Sequence, residues 1–142
     1  MIVTFPLPHA FVPGASAVES AKVLKALMQT LITIDEAYLQ HHDAPKLYSS
    51  RIVYGRTNEW EAIPAVLERG HADCKSLAAW RIAELRKEGK RADMVFRWRE
   101  RPNGVRDYHI LVVTPTGYED PSKVLGMGKD EWSHMNGGGL HR

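Results

Sequence analysis

The only cysteine of the chain, Cys74, stands where the sequence predicts the start of a helix. It follows residues 70–73, and the apolar spacing after it predicts a helix from about Cys74 to Lys87 that stops before Gly89. A thiol attacks as the thiolate, and the unpaired backbone N–H groups in the first turn of a helix favour the thiolate and can donate to an oxyanion. The position favours nucleophilic catalysis, and a cysteine buried in the core is the alternative.

Two further residues, His109 and Asp120, offer a base and a carboxylate on neighbouring predicted strands. His109 opens the apolar strand 108–113, and Asp120 ends the next short strand, 118–120. In an antiparallel hairpin with a two-residue loop, these two residues share a face, either directly opposed or on a diagonal. A three-residue loop would place them on opposite faces. The pairing therefore requires a two-residue loop within residues 114–116.

These three residue types together predict acyl transfer. Cys74 is the nucleophile, His109 takes and returns the proton, and Asp120 orients the imidazole and stabilises its charged form. A thioester would form with release of an amine, and water or a second amine would then resolve it.

Four stretches follow one pattern: a Trp-and-Pro segment, an Asp-Cys pair at a helix start, a His at the head of a strand and an Asp-Pro pair. They are 58–64 (NEWEAIP), 70–78 (GHADCKSLA), 108–112 (YHILV) and 119–122 (EDPS). This pattern, which covers about half of the chain, resembles the transglutaminase-like superfamily, especially the bacterial transglutaminase-like cysteine proteinases. The resemblance implies a papain-like fold and a thiol hydrolase or acyltransferase that acts on peptide, isopeptide or glutamine amide bonds. It assigns the nucleophile to Cys74, the base to His109 and the orienting acid to Asp120.

The chain departs from the family pattern at two positions beside the thiol. Ala72 replaces the glycine that is usual before the Asp-Cys pair, and Lys75 stands where an acidic residue is common. Lys75 would either lower the pKa of the thiol or lie in solvent. An oxyanion donor is expected beside the Cys74 N–H, and the Trp-Pro segment offers Asn58 and Trp60. Trp60 equally suits a role in packing.

The remainder of the chain predicts an α+β domain with helices on one face of an antiparallel meander. Helical spacing covers about 17–39, a brief helix is predicted at 63–69, and alternation after Gly89 places Met94, Phe96 and Trp98 on one face. We expect a single transglutaminase-like domain over residues 1–142. Residues 1–14 would form an extended arm and residues 126–142 a flexible, glycine-rich tail.

Composition excludes several classes of partner. The net charge of +2 is too small to predict binding to nucleic acid. No apolar run approaches the roughly 20 residues that span a bilayer, so we expect no membrane contact. We expect a protein or peptide substrate, and a cytoplasmic location, or a virion if a phage encodes the chain. No cofactor or metal is expected, because the adjacent His41, His42 and Asp43 do not converge naturally on one ion.

The competing interpretation is a non-catalytic structural or binding module, for example of a phage particle, that keeps the papain-like scaffold. A thiol closed off from solvent, or an Asp120 turned away from His109, would favour it.

Overall fold

The computed structural model describes residues 17–100, 102–103, 106–128 and 140–141. It confirms the α+β class with α1 (Ala17–His41), a 3-10 turn (Leu47–Ser49), β1 (Val53–Tyr54), α2 (Ile63–Arg69), β2 (His71–Ala72), α3 (Cys74–Lys87), β3 (Asp93–Glu100), β4 (Arg106–Thr114), β5 (Gly117–Glu119), α4 (Pro121–Val124) and β6 (Leu140–His141). The predicted arm at 1–14, and residues 129–139 and 142 of the predicted tail, lie outside the described residues. Within those residues, each helix is too short or too polar to cross a membrane.

The two helices around the predicted nucleophile have the predicted ends. Pro64 lies in the first turn of α2, where its fixed φ suits the helix and its missing N–H costs nothing. Gly70 ends α2 with a φ of 87°, a left-handed conformation that glycine adopts without strain. Asp73 is the extended N-cap of α3, so Cys74 is its first helical residue. The local signals around Cys74 therefore operate as the sequence predicts.

The sheet is an antiparallel meander with strand order β5-β4-β3-β6. Thr114 pairs with Gly117, so the β4–β5 loop is the two residues Pro115 and Thr116. β5 is short and pairs with β4 only at Val112–Thr114. Part of the predicted flexible tail belongs to the sheet, because Leu140–His141 form β6 against β3.

The third strand of the meander ends one residue earlier than predicted. Asp120 is not in β5 but is the N-cap of α4, a short helix that the sequence pattern does not predict. Pro121 explains the difference, because proline suits both the end of a strand and the first position of a helix. The position of Asp120 at an N-cap, and not in a strand, matters for the site, since the side chain of a cap residue is fixed by the helix that follows.

α3 is buried on two sides, although the sequence predicts one apolar face. One side packs with α1 and with one face of the sheet, through Ala78, Ala79, Ile82 and Leu85 against Met28, Ile32, Met94, Phe96, Ile110 and Val112. The other side packs Leu77, Trp80 and Ala83 against Leu47, Ile52, Ile63 and Val66. Helical spacing predicts Leu77 on the same face as Ala78, Ile82 and Leu85, and this prediction was wrong, because Leu77 packs on the second side. This double burial holds the N-terminus of α3, and so Cys74, in one place.

Candidate active site

Cys74 lies against β4 on the part of that strand that β5 does not cover. The backbone N–H of Ile110 donates a hydrogen bond to the Cys74 thiol. The same side chain also packs on the apolar cluster formed by α1, α3 and the sheet. Because β5 pairs only with Val112–Thr114, α3 can reach this section of the strand. The thiol is therefore next to the residue that directly follows His109.

His109 and Asp120 form a hydrogen-bonded pair beside the β4–β5 hairpin. Val112 stands opposite Glu119, so the register places His109 and Asp120 on a diagonal of the same face. Nε2 of His109 lies 2.9 Å from Oδ2 of Asp120. The two side chains are only 2% and 16% exposed. A carboxylate only accepts, so Nε2 has the hydrogen and Nδ1 is the ring nitrogen that can take a proton.

Asp120 is fixed by a second hydrogen bond and by its neighbour. Its Oδ1 accepts from the backbone N–H of Lys123 at 3.3 Å, which caps α4. The preceding residue, Glu119, accepts from Nε of Arg81 and from the hydroxyl of Tyr48, each at 2.9 Å. The guanidinium of Arg81 also lies 4.6 Å from the centroid of the Tyr48 ring. This network ties the hairpin to α3 on the side next to Asp120.

A cleft of about 200 Å³ brings Cys74 and His109 to one surface. Its walls come from segment 54–58, the start of α3, and strands β3 and β4, through Tyr54, Arg56, Thr57, Asn58, Asp73, Cys74, Arg99, Asp107, Tyr108 and His109. Of the two expected oxyanion donors, Asn58 lines this cleft. Trp60 is not among the lining residues and is 37% exposed.

The thiol is less acidic than the sequence predicts. Burial raises the pKa of Cys74 to about 12, and the negative charge of Asp73 adds to the rise. The Ile110 N–H and the Lys75 ammonium lower the pKa, but by less. The expectation of a thiolate at the helix start was wrong, because a first-turn position says nothing about desolvation. At neutral pH the thiol keeps its proton, and attack requires a base to remove it.

The wall of the cleft depends on a close approach at Gly55. Its N–H donates to the carbonyl of Ala72 at 3.0 Å, next to the parallel pairing of β1 with β2. A Cβ atom at this position would lie 2.8 Å from Cδ2 of His71, closer than such atoms normally come. No local sequence signal predicts this constraint, because it arises between segments that are distant along the chain.

Gly55→Ala is expected to destabilise the fold by about 1–3 kcal/mol, the usual cost of overpacking. The measurement is urea-induced unfolding. Gly128→Ala is the matched control, since a Cβ at Gly128 meets no atom within 4 Å. In a His71→Ala background most of the cost should disappear, because the ring atoms that clash are gone. An equal cost in both backgrounds would contradict the role of His71.

Other known proteins provide no template for the site. Among the residues described, no three metal-binding side chains converge. Comparison of the chain with protein-family models, with curated proteins and with solved structures found no match in any of the three. The arrangement of Cys74, His109 and Asp120 therefore has to be interpreted from its own chemistry.

Proposed function

We propose that the protein is a thiol hydrolase or acyltransferase, built on a papain-like, transglutaminase-like scaffold, that acts on peptide, isopeptide or glutamine amide bonds. The supporting observation is a single constellation: Cys74 and His109 line one cleft, and Asp120 holds Nε2 of the imidazole at 2.9 Å. A nucleophile, a base and an orienting carboxylate in this relation are the parts that acyl transfer requires. Hydrolysis is favoured over transfer to an amine, since no dedicated amine site is indicated in the sequence.

The first half-reaction forms the thioester. Sγ of Cys74 attacks the amide carbon, and Nδ1 of His109 takes the thiol proton as the S–C bond forms. The imidazolium is stabilised by Asp120 through Nε2. The oxyanion is held by the backbone N–H of Cys74 and by the side-chain amide of Asn58. His109 then gives its proton to the leaving nitrogen as the C–N bond breaks, and an amine or ammonia departs.

The second half-reaction hydrolyses the thioester and regenerates the free enzyme. Water enters the cleft, gives a proton to His109 and attacks the thioester carbon. The C–S bond breaks, the sulfur takes the proton back from His109, and a carboxylic acid leaves. Because the resting thiol is neutral, proton transfer to His109 accompanies attack and does not precede it.

The proposal predicts an acyl-enzyme on Cys74. Exposure to p-nitrophenyl acetate should release a burst of p-nitrophenolate and leave one acetyl group on the protein, seen by mass spectrometry. Cys74→Ala should give no acyl-enzyme, and His109→Ala should slow its formation by roughly 10²–10⁴-fold, the usual contribution of a general base. Since Cys74 is the only cysteine of the chain, any label on a thiol is a label on this residue.

The matched control is His41→Ala, which removes an exposed imidazole in the last turn of α1. It should leave the burst unchanged. If His109→Ala acylates as fast as the unmodified protein, His109 is not the base and the proposal is wrong.

A non-catalytic binding module is the second candidate, and one observation favours it. The pKa of Cys74 is raised, so the thiol is a poor nucleophile without assistance. For such a module, the unmodified protein would form no acyl-enzyme, and Cys74→Ala would leave binding to its partner unchanged.

A further inference from the structure

The side chain of Lys75 is held at three points next to the nucleophile. It is the second residue of α3 and only 12% exposed. Its ammonium forms an ion pair with Asp73 and donates to the carbonyl of Thr57 at 3.2 Å. It also lies 5.5 Å from the centroid of the Trp60 ring, within the range of a cation–π contact.

This placement opposes the ordinary preference of a helix. The first turn has a partial positive charge and favours acidic side chains, so a buried lysine there needs compensation. Asp73 supplies it from the N-cap, and Thr57 supplies a carbonyl from the wall of the cleft. The three partners come from two segments, the N-cap of α3 and the loop 55–62 between β1 and α2, and together they leave the ammonium little freedom to move.

Asp73 makes the Cys74 thiolate less stable, whereas the positive charge of Lys75 makes it more stable. Its carboxylate is 13% exposed, lines the cleft and immediately precedes the thiol. A negative charge on the residue next to Cys74 disfavours the thiolate that forms as the sulfur attacks. Among the described residues, the charged and titratable side chains near Cys74 come from every element around the cleft: Asp73 at the N-cap of α3, Lys75 on α3, Asp120 at the N-cap of α4, Asp107, Tyr108 and His109 on β4, Arg99 on β3, and Tyr54 and Arg56 in the cleft wall.

We propose that Lys75 is a positioning residue of the acyl-transfer site: fixed between Asp73, Thr57 and Trp60, its ammonium compensates the Asp73 carboxylate beside Cys74. The catalytic meaning of this role rests on the proposed function, whereas the effect on the thiol does not. Lys75 contacts neither substrate nor reacting atoms in this scheme, and it acts by compensating Asp73 and through the field of its own charge at the thiol.

The test is the rate at which iodoacetamide alkylates Cys74 at about pH 8, far below the pKa of the thiol. There the rate is proportional to the thiolate fraction, so a tenfold change in rate corresponds to a change of about one in pKa. Lys75→Met should slow alkylation about tenfold or more. Lys75→Arg keeps the charge and should remain within about threefold of the unmodified protein.

Asp73 provides the discriminating control. Asp73→Asn keeps a good N-cap residue and should speed alkylation, because the carboxylate charge is gone. In the Asp73→Asn background, Lys75→Met should slow alkylation by a smaller factor than it does in the unmodified protein, since only the direct attraction between the ammonium and the thiolate is then lost. A structural role alone would give the opposite sign, because loosening the wall exposes the thiol and speeds alkylation.

The outcomes separate the inference from the proposed function. Alkylation of Lys75→Met at the rate of the unmodified protein or faster overturns the role of Lys75, whether or not an acyl-enzyme forms. Slower alkylation supports it. Absence of an acyl-enzyme from the unmodified protein overturns the proposed function and leaves the alkylation result standing.

Discussion

Asp120→Asn is expected to slow formation of the acyl-enzyme by roughly 10²–10⁴-fold. A carboxylate accepts from Nε2 of His109 and so leaves Nδ1 ready to take the thiol proton. An amide at the same position can instead donate to Nε2, which favours the tautomer with its proton on Nδ1. That tautomer cannot accept the proton of Cys74. The measurement is the burst rate with p-nitrophenyl acetate.

The substitution is chosen so that the fold survives. Asp120 also caps α4 through the backbone N–H of Lys123, and asparagine is an equally good cap. The thermal unfolding midpoint should therefore stay close to that of the unmodified protein. Asp43→Asn, at an exposed position, is the matched control for loss of a carboxylate. A burst rate for Asp120→Asn within about threefold of the control would show that the pair does not set the tautomer.

The second large effect concerns stability and comes from Asp35, a fully buried carboxyl on α1. Its Oδ1 accepts from the backbone N–H of Ile63 at 2.9 Å, at the start of α2. Its Oδ2 is buried and has no hydrogen-bond partner among the described residues. Burial raises the pKa of Asp35 to about 7, so the fold favours the protonated form.

This raised pKa makes stability fall as the pH rises. Between the unfolded pKa near 4 and the folded pKa of about 7, the folded state binds more protons, so the stabilisation present at low pH is lost across this window. The full difference between the two pKa values corresponds to roughly 4 kcal/mol in the free energy of unfolding, and about 3 kcal/mol of this stabilisation is lost between pH 5 and pH 8.

Asp35→Asn is expected to remove this loss, because asparagine does not titrate and still accepts from Ile63. The measurement is the free energy of unfolding in urea at about pH 5 and about pH 8 for both proteins. The exposed Asp43→Asn variant should keep the pH dependence of the unmodified protein. If Asp35→Asn shows the same pH dependence of the free energy of unfolding as the unmodified protein, groups other than Asp35 cause that dependence.

The elements that the sequence predicts best are those with strong local signals. α2 ends at Gly70 and α3 starts at Cys74, where caps and apolar spacing agree. Strands β1, β2 and β6 each cover two residues and depend on pairing with distant segments, and the 3-10 turn covers only three residues, so periodicity gives little sign of them. α4 was missed because Pro121 ends a strand and begins a helix equally well.

The candidate site shows the same division. The two-residue loop that His109 and Asp120 require was a local prediction, and it is present. The direction of the pKa change at Cys74 was predicted wrongly, because it is set by burial and by Asp73. The contacts of Arg81 with Glu119 and of Lys75 with Thr57 join segments far apart in sequence. The one sequence feature that indicates these contacts is the presence of the charged residues Lys75 and Arg81 in helix α3, which is largely buried.

The desolvation that raises the pKa of Cys74 also bears on the survival of this half-buried thiol under oxidising conditions. Peroxides react with thiolates, so a thiol with a pKa of about 12 is oxidised slowly while the cleft is empty. The chain contains no other cysteine that could trap a sulfenic acid as an internal disulfide. Under the proposed mechanism, in which the thiol loses its proton only when His109 takes it during attack, Cys74 would be protected from oxidation between turnovers.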